Sequence, residues 1–215
     1  MISVQAALDA LFALVQKPNV ETVDLTKAMG RVLARPIKAS RDQPPFDAAA
    51  MDGYAIAQPA AKRGDSYQVI GEAAAGRRFE GDLTPDTAVR IFTGAPVPAG
   101  TSAIIIQENA IRIADRIELS EDPNAQSHIR PAGNDFKTGS CLDAPKRLNS
   151  ADIALLASMN MTQIPVCKRP TIALLSTGDE LVMPGEQPGQ DQILASNTYG
   201  LAALLNSHGA DCRIL

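Results

Sequence analysis

The stretch that decides the fold class is TIALLSTGDE, residues 171–180, in which an unbroken apolar run ends in Ser, Thr, Gly, Asp and Glu. A continuous apolar run is typical of a strand covered on both faces in a parallel sheet. The next segment, ASNTYGLAALLNSHGA at residues 195–210, has the pattern of a capped helix, and DCRIL at residues 211–215 begins like a second parallel strand. The sequence therefore predicts a strand, loop, helix unit of a parallel α/β sheet in this region.

Upstream of this unit, residues 64–143 consist of short β-forming runs separated by Gly, Pro, Asp and Asn, which predicts a compact β-domain. Helices are predicted on both sides of this domain. One follows Ser3, a good N-cap residue, and stops at Pro18. The other runs from Ser150 to Asn160, which is able to take the left-handed C-terminal position. A short helical turn is predicted at residues 25–29, ended by Gly30.

The composition is that of a folded, slightly acidic protein of 215 residues, with 45% hydrophobic residues, 20% charged residues and a formal net charge of -4. These values exclude a disordered chain, and they give no general attraction to nucleic acid or to an anionic membrane. Adjacent basic residues are interpreted as solvated surface. They are Lys62-Arg63, Arg77-Arg78, Lys146-Arg147 and Lys168-Arg169.

The cysteines and histidines do not follow a zinc-binding pattern, and they predict no metal centre of that kind. They are Cys141, Cys167, Cys212, His128 and His208. The absence of CxxC spacing favours a reducing cytoplasm. The first 18 residues lack the basic region of a signal peptide, and no apolar run approaches the length of a membrane span.

The segment PPFDAAAMDGYAI, residues 44–56, allows two compatible interpretations. Asp52-Gly53 has the composition of a two-residue hairpin turn, because both residues tolerate positive φ. Asp52 is also a candidate functional carboxylate, and Ala48, Ala49 and Ala50 leave room for another group to come close.

Polar loops at the predicted strand ends are the other candidate site elements. In STGDELVMPG, the hydroxyl groups and backbone of Ser176, Thr177 and Gly178 can donate to phosphate oxygens, while Asp179 and Glu180 can hold Mg²⁺ or position water. Two further loops, TGAPVPAG with Thr93 and RPAGNDF with Asp135, have a similar pattern. The alternative interpretation of each loop is a turn, cap or connector.

Six motifs in this order resemble the MoeA family of molybdopterin molybdenumtransferases, which is related to the E domain of gephyrin. They are FDAAAMDGYA, TGAPVPAG, RPAGND, LLASM, STGDEL with a following PG, and SNTYGLAALL. The resemblance implies a multidomain α+β fold: a discontinuous linker domain of helices and short strands, an inserted β-domain, and the start of a parallel, MogA-like α/β domain that binds molybdopterin. The expected boundaries are 1–43 with 144–168 for the linker domain, 44–143 for the β-rich domain, and 169–215 for the first β-α-β portion.

The family is roughly twice this length, so the resemblance implies a truncated N-terminal half that is inactive by itself. The implied reaction of the complete protein is insertion of molybdate into adenylylated molybdopterin with release of AMP, assisted by a divalent metal such as Mg²⁺. The implied catalytic residues are Asp52, Thr93, Asp135 and Glu180, and the implied substrate-binding residues are Ser176, Thr177, Gly178 and Asp179. The resemblance does not assign the residues that hold the metal.

The resemblance also implies a cytoplasmic homodimer with sites shared between chains, no nucleic acid or membrane partner, and a MogA-like adenylyltransferase as a further partner. Two alternatives stay open: a non-catalytic binding scaffold like gephyrin, and a general Mg²⁺-dependent nucleotide hydrolase. The chain departs from the family pattern at Ala48-Ala49, where Asn-Ser is usual, and at Ala195, where a polar residue is common.

Overall fold

The computed structural model describes residues 2–123 and 127–215, so residues 124–126 of the predicted β-domain lie outside the described residues. The chain divides into two compact units, one made of residues 1–37 and 142–215 and the other of residues 38–141. The three-part division at residues 43, 143 and 168 stays a prediction.

Three α-helices form in the described residues: α1 (Val4–Ala13), α2 (Ser150–Ser158) and α3 (Ser196–Ser207). Helix α1 begins as predicted, because the Ser3 hydroxyl accepts a hydrogen bond from the Ala6 amide at 3.1 Å. Asn160 ends the α2 region at a positive φ of 61°, also as predicted. The expected turn at residues 25–29 is a 3₁₀ turn, Leu25–Lys27.

The prediction of a capped helix at residues 195–210 was wrong at its N-terminus. The N-cap residue of α3 is Ala195, which makes no side-chain cap hydrogen bond because its methyl group has no acceptor. The helix ends before Gly209, whose φ is +98°.

The strands are short, and they are numbered here in chain order. The first three are β1 (Val20–Asp24), β2 (Val32–Leu33) and β3 (Ile37–Lys38). The next eight are β4 (Ala48–Ala49), β5 (Gly53–Ile56), β6 (Ser66–Ala73), β7 (Thr87–Ile91), β8 (Ala103–Ile106), β9 (Ala110–Ile113), β10 (Arg116–Leu119) and β11 (Ile129–Arg130). The last seven are β12 (Cys141–Leu142), β13 (Lys146–Arg147), β14 (Gln163–Cys167), β15 (Thr171–Leu174), β16 (Leu181–Val182), β17 (Ile193–Leu194) and β18 (Asp211–Ile214).

In the unit of residues 1–37 and 142–215, strands from both ends of the chain form one antiparallel sheet of order β1-β14-β2-β13. The fully buried side chains of this unit include Leu33, Leu148, Leu156, Ile164 and Val166. Two strands of this sheet, β1 and β2, precede residue 38, and the other two, β13 and β14, follow residue 141. The sheet therefore requires contact between segments that are more than 100 residues apart in the chain.

The unit of residues 38–141 is built on a six-stranded sheet of order β8-β5-β7-β6-β10-β9. All neighbours are antiparallel except β6 and β7, which are parallel. Successive residues of β5 alternate between two buried clusters: Tyr54 and Ile56 belong to one, and Ala55 to the other. The alternation places one cluster on each face of the sheet, and it confirms the predicted β-rich character of this region.

The predicted β-α-β unit after residue 169 is present. Strands β15 and β18 pair in parallel, with Thr171 opposite Asp211, and α3 lies between them in the chain. The expectation that the first strand is covered on both faces was wrong for the described residues, since β15 alternates between exposed and half-buried positions and Leu175 is 71% exposed. In this sheet β15 has β18 as its one described neighbour.

Among residues 2–123 and 127–215, none of the helices has the length and apolar character that a membrane span requires.

Candidate functional site

Strand β4 lies between two of the loops that carry candidate residues. On one side it pairs antiparallel with β11, so that Ala48 is opposite Arg130. On the other side the Ala49 amide donates to the Ala95 carbonyl at 2.9 Å, and the Gly94 amide donates to the Ala49 carbonyl at 2.8 Å. The fold thus brings the TGAP and RPAGND loops to opposite edges of the same two-residue strand.

The alanines of this segment serve internal packing. Ala48 and Ala49 are 6% and 3% exposed, and Ala49 packs in the same buried cluster as Ala95 and Ile104. The groups that come close to these two alanines are therefore neighbouring segments of the same chain. Ala50 is exposed, and its amide donates to the His128 carbonyl at 2.9 Å.

Asp52 and Thr93 are in direct contact. The Thr93 amide and the Thr93 hydroxyl each donate to Oδ1 of Asp52, at 2.7 Å. These two hydrogen bonds, the hydroxyl first, hold the pKa of Asp52 below its usual range, and the charge of Arg90 acts in the same direction. Asp52 is therefore ionised at neutral pH with one carboxylate oxygen anchored.

The interpretation of Asp52-Gly53 as a hairpin turn was wrong. Asp52 lies in a bend after β4, and Gly53 is the first residue of β5. A Cβ atom at Gly53 would lie 1.9 Å from the Ile105 carbonyl oxygen on β8, so glycine is required by the close approach of a neighbouring strand. Glycine is favoured both in a tight turn and in a strand that a neighbouring strand approaches closely. The local sequence therefore does not show which of these two structures forms at residue 53.

Arg90 supports this region, and the sequence interpretation missed it. Its guanidinium group lies between the rings of Tyr54 and Phe92, 5.0 and 4.7 Å from their centroids. It donates to Gln107 Oε1 at 2.7 Å and to the Gly53 carbonyl at 3.3 Å. The Gln107 amide in turn donates to the Asp52 carbonyl at 3.0 Å. A charged residue within the β-forming run TAVRIF was the available signal.

Asp135 forms an ion pair with Arg130 in its own loop. Both side chains are more than 40% exposed, at 41% and 44%, so this pair contributes little to stability. The loop is held by its backbone: the Asp135 amide donates to the Gln43 carbonyl at 2.8 Å, and the Ala132 amide donates to Oδ1 of Asp47 at 2.8 Å. Asp47 is a second residue whose role the sequence interpretation missed.

The geometry that joins Asp52 to Thr93 occurs elsewhere in the chain. Oδ1 of Asp42 accepts from the amide and the hydroxyl of Thr138, both at 2.7 Å. Neither of those residues is a site candidate, so this geometry also serves to join loops. A functional role for Asp52 therefore has to come from its carboxylate charge and not from the anchoring bonds alone.

The candidates at residues 176–180 belong to the other unit and are described separately. The Ser176 and Thr198 hydroxyl groups are hydrogen-bonded, which ties the loop to the first turn of α3. Gly178 has a φ of +150°, and the Glu180 carboxylate covers the position that a Cβ atom there would occupy. Thr177 and Asp179 are exposed, as is Glu180. The loop thus presents its hydroxyl and carboxylate groups to solvent beside a strand end.

Residues 2–160 match the family model described as the MoeA N-terminal region (domain I and II). This chain belongs to the MoeA family. A molybdopterin molybdenumtransferase from Nostoc is 38% identical over 223 residues, which cover 98% of this chain and 51% of the relative. One from Haemophilus influenzae is 35% identical over 187 residues, which cover 86% of this chain and 46% of the relative.

Solved structures of the molybdopterin biosynthesis MoeA protein from Pyrococcus horikoshii have the same fold. Two of them match with TM-scores of 0.87 and 0.88 at 29% and 30% identity, covering all of this chain and 56% and 59% of theirs. The chain spans about half the length of the curated relatives it matches. The mixed helix and sheet architecture expected of a MoeA chain is confirmed at this level.

Residues 2–123 and 127–215 contain no group of three or more His, Cys, Asp or Glu side chains able to hold a metal ion. The described part of the chain therefore does not fit the divalent metal that the resemblance implies, if that site were built from protein ligands alone.

Proposed function

We propose that this chain forms part of an enzyme of molybdenum-cofactor biosynthesis that inserts molybdate into adenylylated molybdopterin and releases AMP. The proposal rests on family membership and on relatives named molybdopterin molybdenumtransferase. The observation that carries it for this chain is the ionised carboxylate of Asp52, which Thr93 holds at the point where two of the family motifs meet.

Under this proposal each candidate has a role that its chemistry permits. Asp52, ionised and anchored by Thr93, orients water or a substrate group. Asp135, with Arg130 beside it, is a further polar group in the unit that carries Asp52. Glu180 keeps its expected catalytic role within the other unit. Ser176, Thr177, Gly178 and Asp179 bind substrate oxygens through hydroxyl and backbone donors. The expected Mg²⁺ would draw ligands from beyond the described side chains, such as substrate phosphates.

We also propose that the protein acts as a cytoplasmic homodimer with sites shared between chains. Helix α1 has no buried residue, and its apolar side chains are exposed, including Val4 at 79%, Leu11 at 60% and Phe12 at 69%. A second copy of the chain would remove this apolar face from water. The proposed reaction also requires a source of adenylylated molybdopterin, and we propose that a MogA-like adenylyltransferase supplies it.

The dimer is tested by light scattering at micromolar concentration. Leu11→Lys should shift the protein toward monomer, because it places a charge on the α1 face. Ile111→Lys is the matched control, since Ile111 is 55% exposed on β9 of the other unit. A monomeric parent protein, or equal effects of the two substitutions, would contradict the proposal.

The reaction is tested in a hybrid in which this chain replaces the matching half of the Nostoc molybdenumtransferase. The measurement is single-turnover release of AMP from adenylylated molybdopterin in the presence of molybdate. Release by a hybrid with an intact melting transition supports the proposal. A folded hybrid without release favours the gephyrin-like scaffold, and turnover of ordinary ATP favours the general nucleotide hydrolase.

A further inference from the structure

A cavity of about 320 Å³ lies within the unit of residues 1–37 and 142–215. Its walls come from segments that are distant in sequence: the residues after α1, the start of β2, the end of β13, the chain between β14 and β15, and the residues after α3. None of the candidate residues for molybdate insertion lines it. The cavity is therefore separate from the residues assigned to the function proposed above.

The lining of this cavity is strongly basic. Arg31, Arg147, Lys168 and Arg169 contribute cationic side chains, and His208 lies beside them. The described residues that line the cavity include no Asp or Glu. Two of the basic pairs that the sequence interpretation assigned to solvated surface, 146–147 and 168–169, thus contribute three of these cations to one concave site.

Two of the arginines also hold the cavity walls. Arg31 is 9% exposed, forms an ion pair with Glu21 and donates to the Cys167 carbonyl at 2.8 Å. Arg147 donates to the Gly30 carbonyl at 3.3 Å and to the Ser207 carbonyl at 3.1 Å. These hydrogen bonds to backbone groups fix the two guanidinium groups before any ligand arrives.

The other two cations are available to a ligand. Lys168 and Arg169 are exposed, and neither forms an ion pair with any residue in the described part of the chain. With Glu21 offsetting Arg31, the site retains the charge of Arg147, Lys168 and Arg169. A dianionic group matches this excess positive charge better than a single carboxylate does, because it brings two negative charges close to the three cations.

The lining also has an apolar part that suits an organic body. Val15, Pro18, Val32 and Pro170 belong to it. A cavity of this volume is at the lower end of the range for small-molecule sites, which combine apolar walls with a few placed polar groups. Inorganic phosphate alone would leave these apolar walls in contact with water.

We infer that this cavity binds a small organic phosphate monoester, with the phosphate group held by Lys168, Arg169 and Arg147 and a compact apolar or aromatic body against the valine and proline walls. A phosphate monoester carries between one and two negative charges at neutral pH, which agrees with the excess positive charge of the lining.

Isothermal calorimetry with three probes on the 215-residue chain tests the ligand class. Phenyl phosphate should bind with a dissociation constant of about 1 mM. Inorganic phosphate, which lacks the body, and phenol, which lacks the charge, should each bind at least about tenfold more weakly. If inorganic phosphate binds as tightly as phenyl phosphate, the apolar walls do not contact the ligand and the inference is wrong. If phenol binds as tightly as phenyl phosphate, the cations do not hold a phosphate group and the inference is also wrong.

Charge-removing variants locate the site. Lys168→Gln with Arg169→Gln should weaken phenyl phosphate binding by about tenfold or more, with an unchanged melting temperature because both side chains are exposed. The matched control is Lys62→Gln with Arg63→Gln, a basic pair that does not line the cavity. Equal losses in the two double variants would show non-specific charge attraction and overturn the inference.

Cysteine alkylation gives a second readout that does not depend on affinity measurements. Cys167 lines the cavity, whereas Cys212 does not, and both are half-buried. Saturating phenyl phosphate should slow alkylation of Cys167, followed by peptide mass spectrometry, and leave Cys212 unchanged. Alkylation of Cys167 at the same rate with and without the probe would contradict binding in this cavity.

Discussion

Oδ1 of Asp52 accepts hydrogen bonds from both the amide and the hydroxyl group of Thr93, two residues that are 41 positions apart in the chain. The contact fixes one oxygen of an ionised carboxylate in the bend directly before β5. Residue 52 therefore has two properties that experiments can test independently. One is its ability to accept the two hydrogen bonds from Thr93, and the other is its negative charge.

Asp52→Asn tests the charge in the hybrid with the Nostoc relative. The Asn side-chain oxygen can still accept both bonds from Thr93, so the melting temperature should stay close to that of the parent. AMP release should fall by about 100-fold or more, because the negative charge is lost. The matched control is Asp42→Asn, which has the same geometry with Thr138 and should retain activity. Near-normal release by Asp52→Asn, or equal loss in both variants, would remove Asp52 from the reaction.

Thr93→Val tests the electrostatic part of the contact. Removing the hydroxyl group should raise the pKa of Asp52 toward its usual range, because that hydrogen bond is the largest cause of the lowered value. A carboxyl group with a lowered folded-state pKa contributes stability above its unfolded pKa and loses it as the pH falls through the folded pKa. The variant should therefore lose part of this acid-side dependence, because the Thr93 amide and Arg90 still lower the pKa of Asp52. Carbon-13 NMR titration of the Asp52 carboxyl group measures it, and Thr138→Val should leave that titration unchanged.

Asp152→Ala should destabilise the protein by about 2 kcal/mol, because one change removes an N-terminal capping box and an ion pair. Asp152 is 5% exposed, accepts from Lys146 Nζ at 2.6 Å and accepts from the Asn149 amide at 3.0 Å. Urea denaturation measures the loss. Asp9→Ala on the exposed helix α1 is the control, and it should change the free energy of unfolding by less than about 0.5 kcal/mol. Comparable losses at the two positions would contradict the capping argument.

The same Asp152 contacts predict a pH dependence. The Lys146 hydrogen bond, and after it that of the Asn149 amide, hold the pKa of Asp152 below its usual range. Their stabilisation is therefore present above the unfolded pKa and disappears as the pH falls through the folded pKa. The difference in unfolding free energy between the parent and Asp152→Ala should shrink in acid. A difference that stays constant across this range would show that Asp152 acts through packing alone.

Two glycine substitutions with opposite expected effects on stability test the conclusion that Gly53 is a strand residue. Gly53→Ala should cost about 3 kcal/mol or more, because the new methyl group would lie 1.9 Å from the backbone oxygen of Ile105. Gly200→Ala in α3 meets nothing within 4 Å and should stabilise the helix by about 0.5 to 1 kcal/mol. Thermal melts of both variants make the comparison. Tolerance of Ala at residue 53 would return it to the role of a turn residue.

Tyr67 provides a prediction at alkaline pH. Burial, followed by the charge of Asp65, raises the pKa of Tyr67 to about 12. A group with a raised folded-state pKa contributes stability below its unfolded value that is lost as the pH rises through the folded value. Ultraviolet absorbance should show one tyrosine titrating near pH 12, and that step should be missing from Tyr67→Phe. A step of equal size in the variant would assign it to another tyrosine.

Several features controlled by neighbours in the sequence were predicted correctly, although the N-cap of α3 was not. The start of α1 at Ser3, the left-handed Asn160 and the parallel β15-α3-β18 order depend on caps, glycine-like conformations and hydrophobic period, which act within a few residues. The family motifs are local in the same sense, because each lies in one short segment of the printed sequence.

Features controlled by contacts between distant segments required the tertiary structure. The composition of Asp52-Gly53 fits a turn equally well, and only the approach of Ile105 shows that Gly53 belongs to a strand. Likewise, the basic pairs at 146–147 and 168–169 have the composition of a solvated surface, and only the fold places Arg147, Lys168 and Arg169 around one cavity. The sequence by itself determined the local elements and the family. The tertiary structure decided which side chains meet, because burial, close approach and summed charge depend on residues that the chain order keeps far apart.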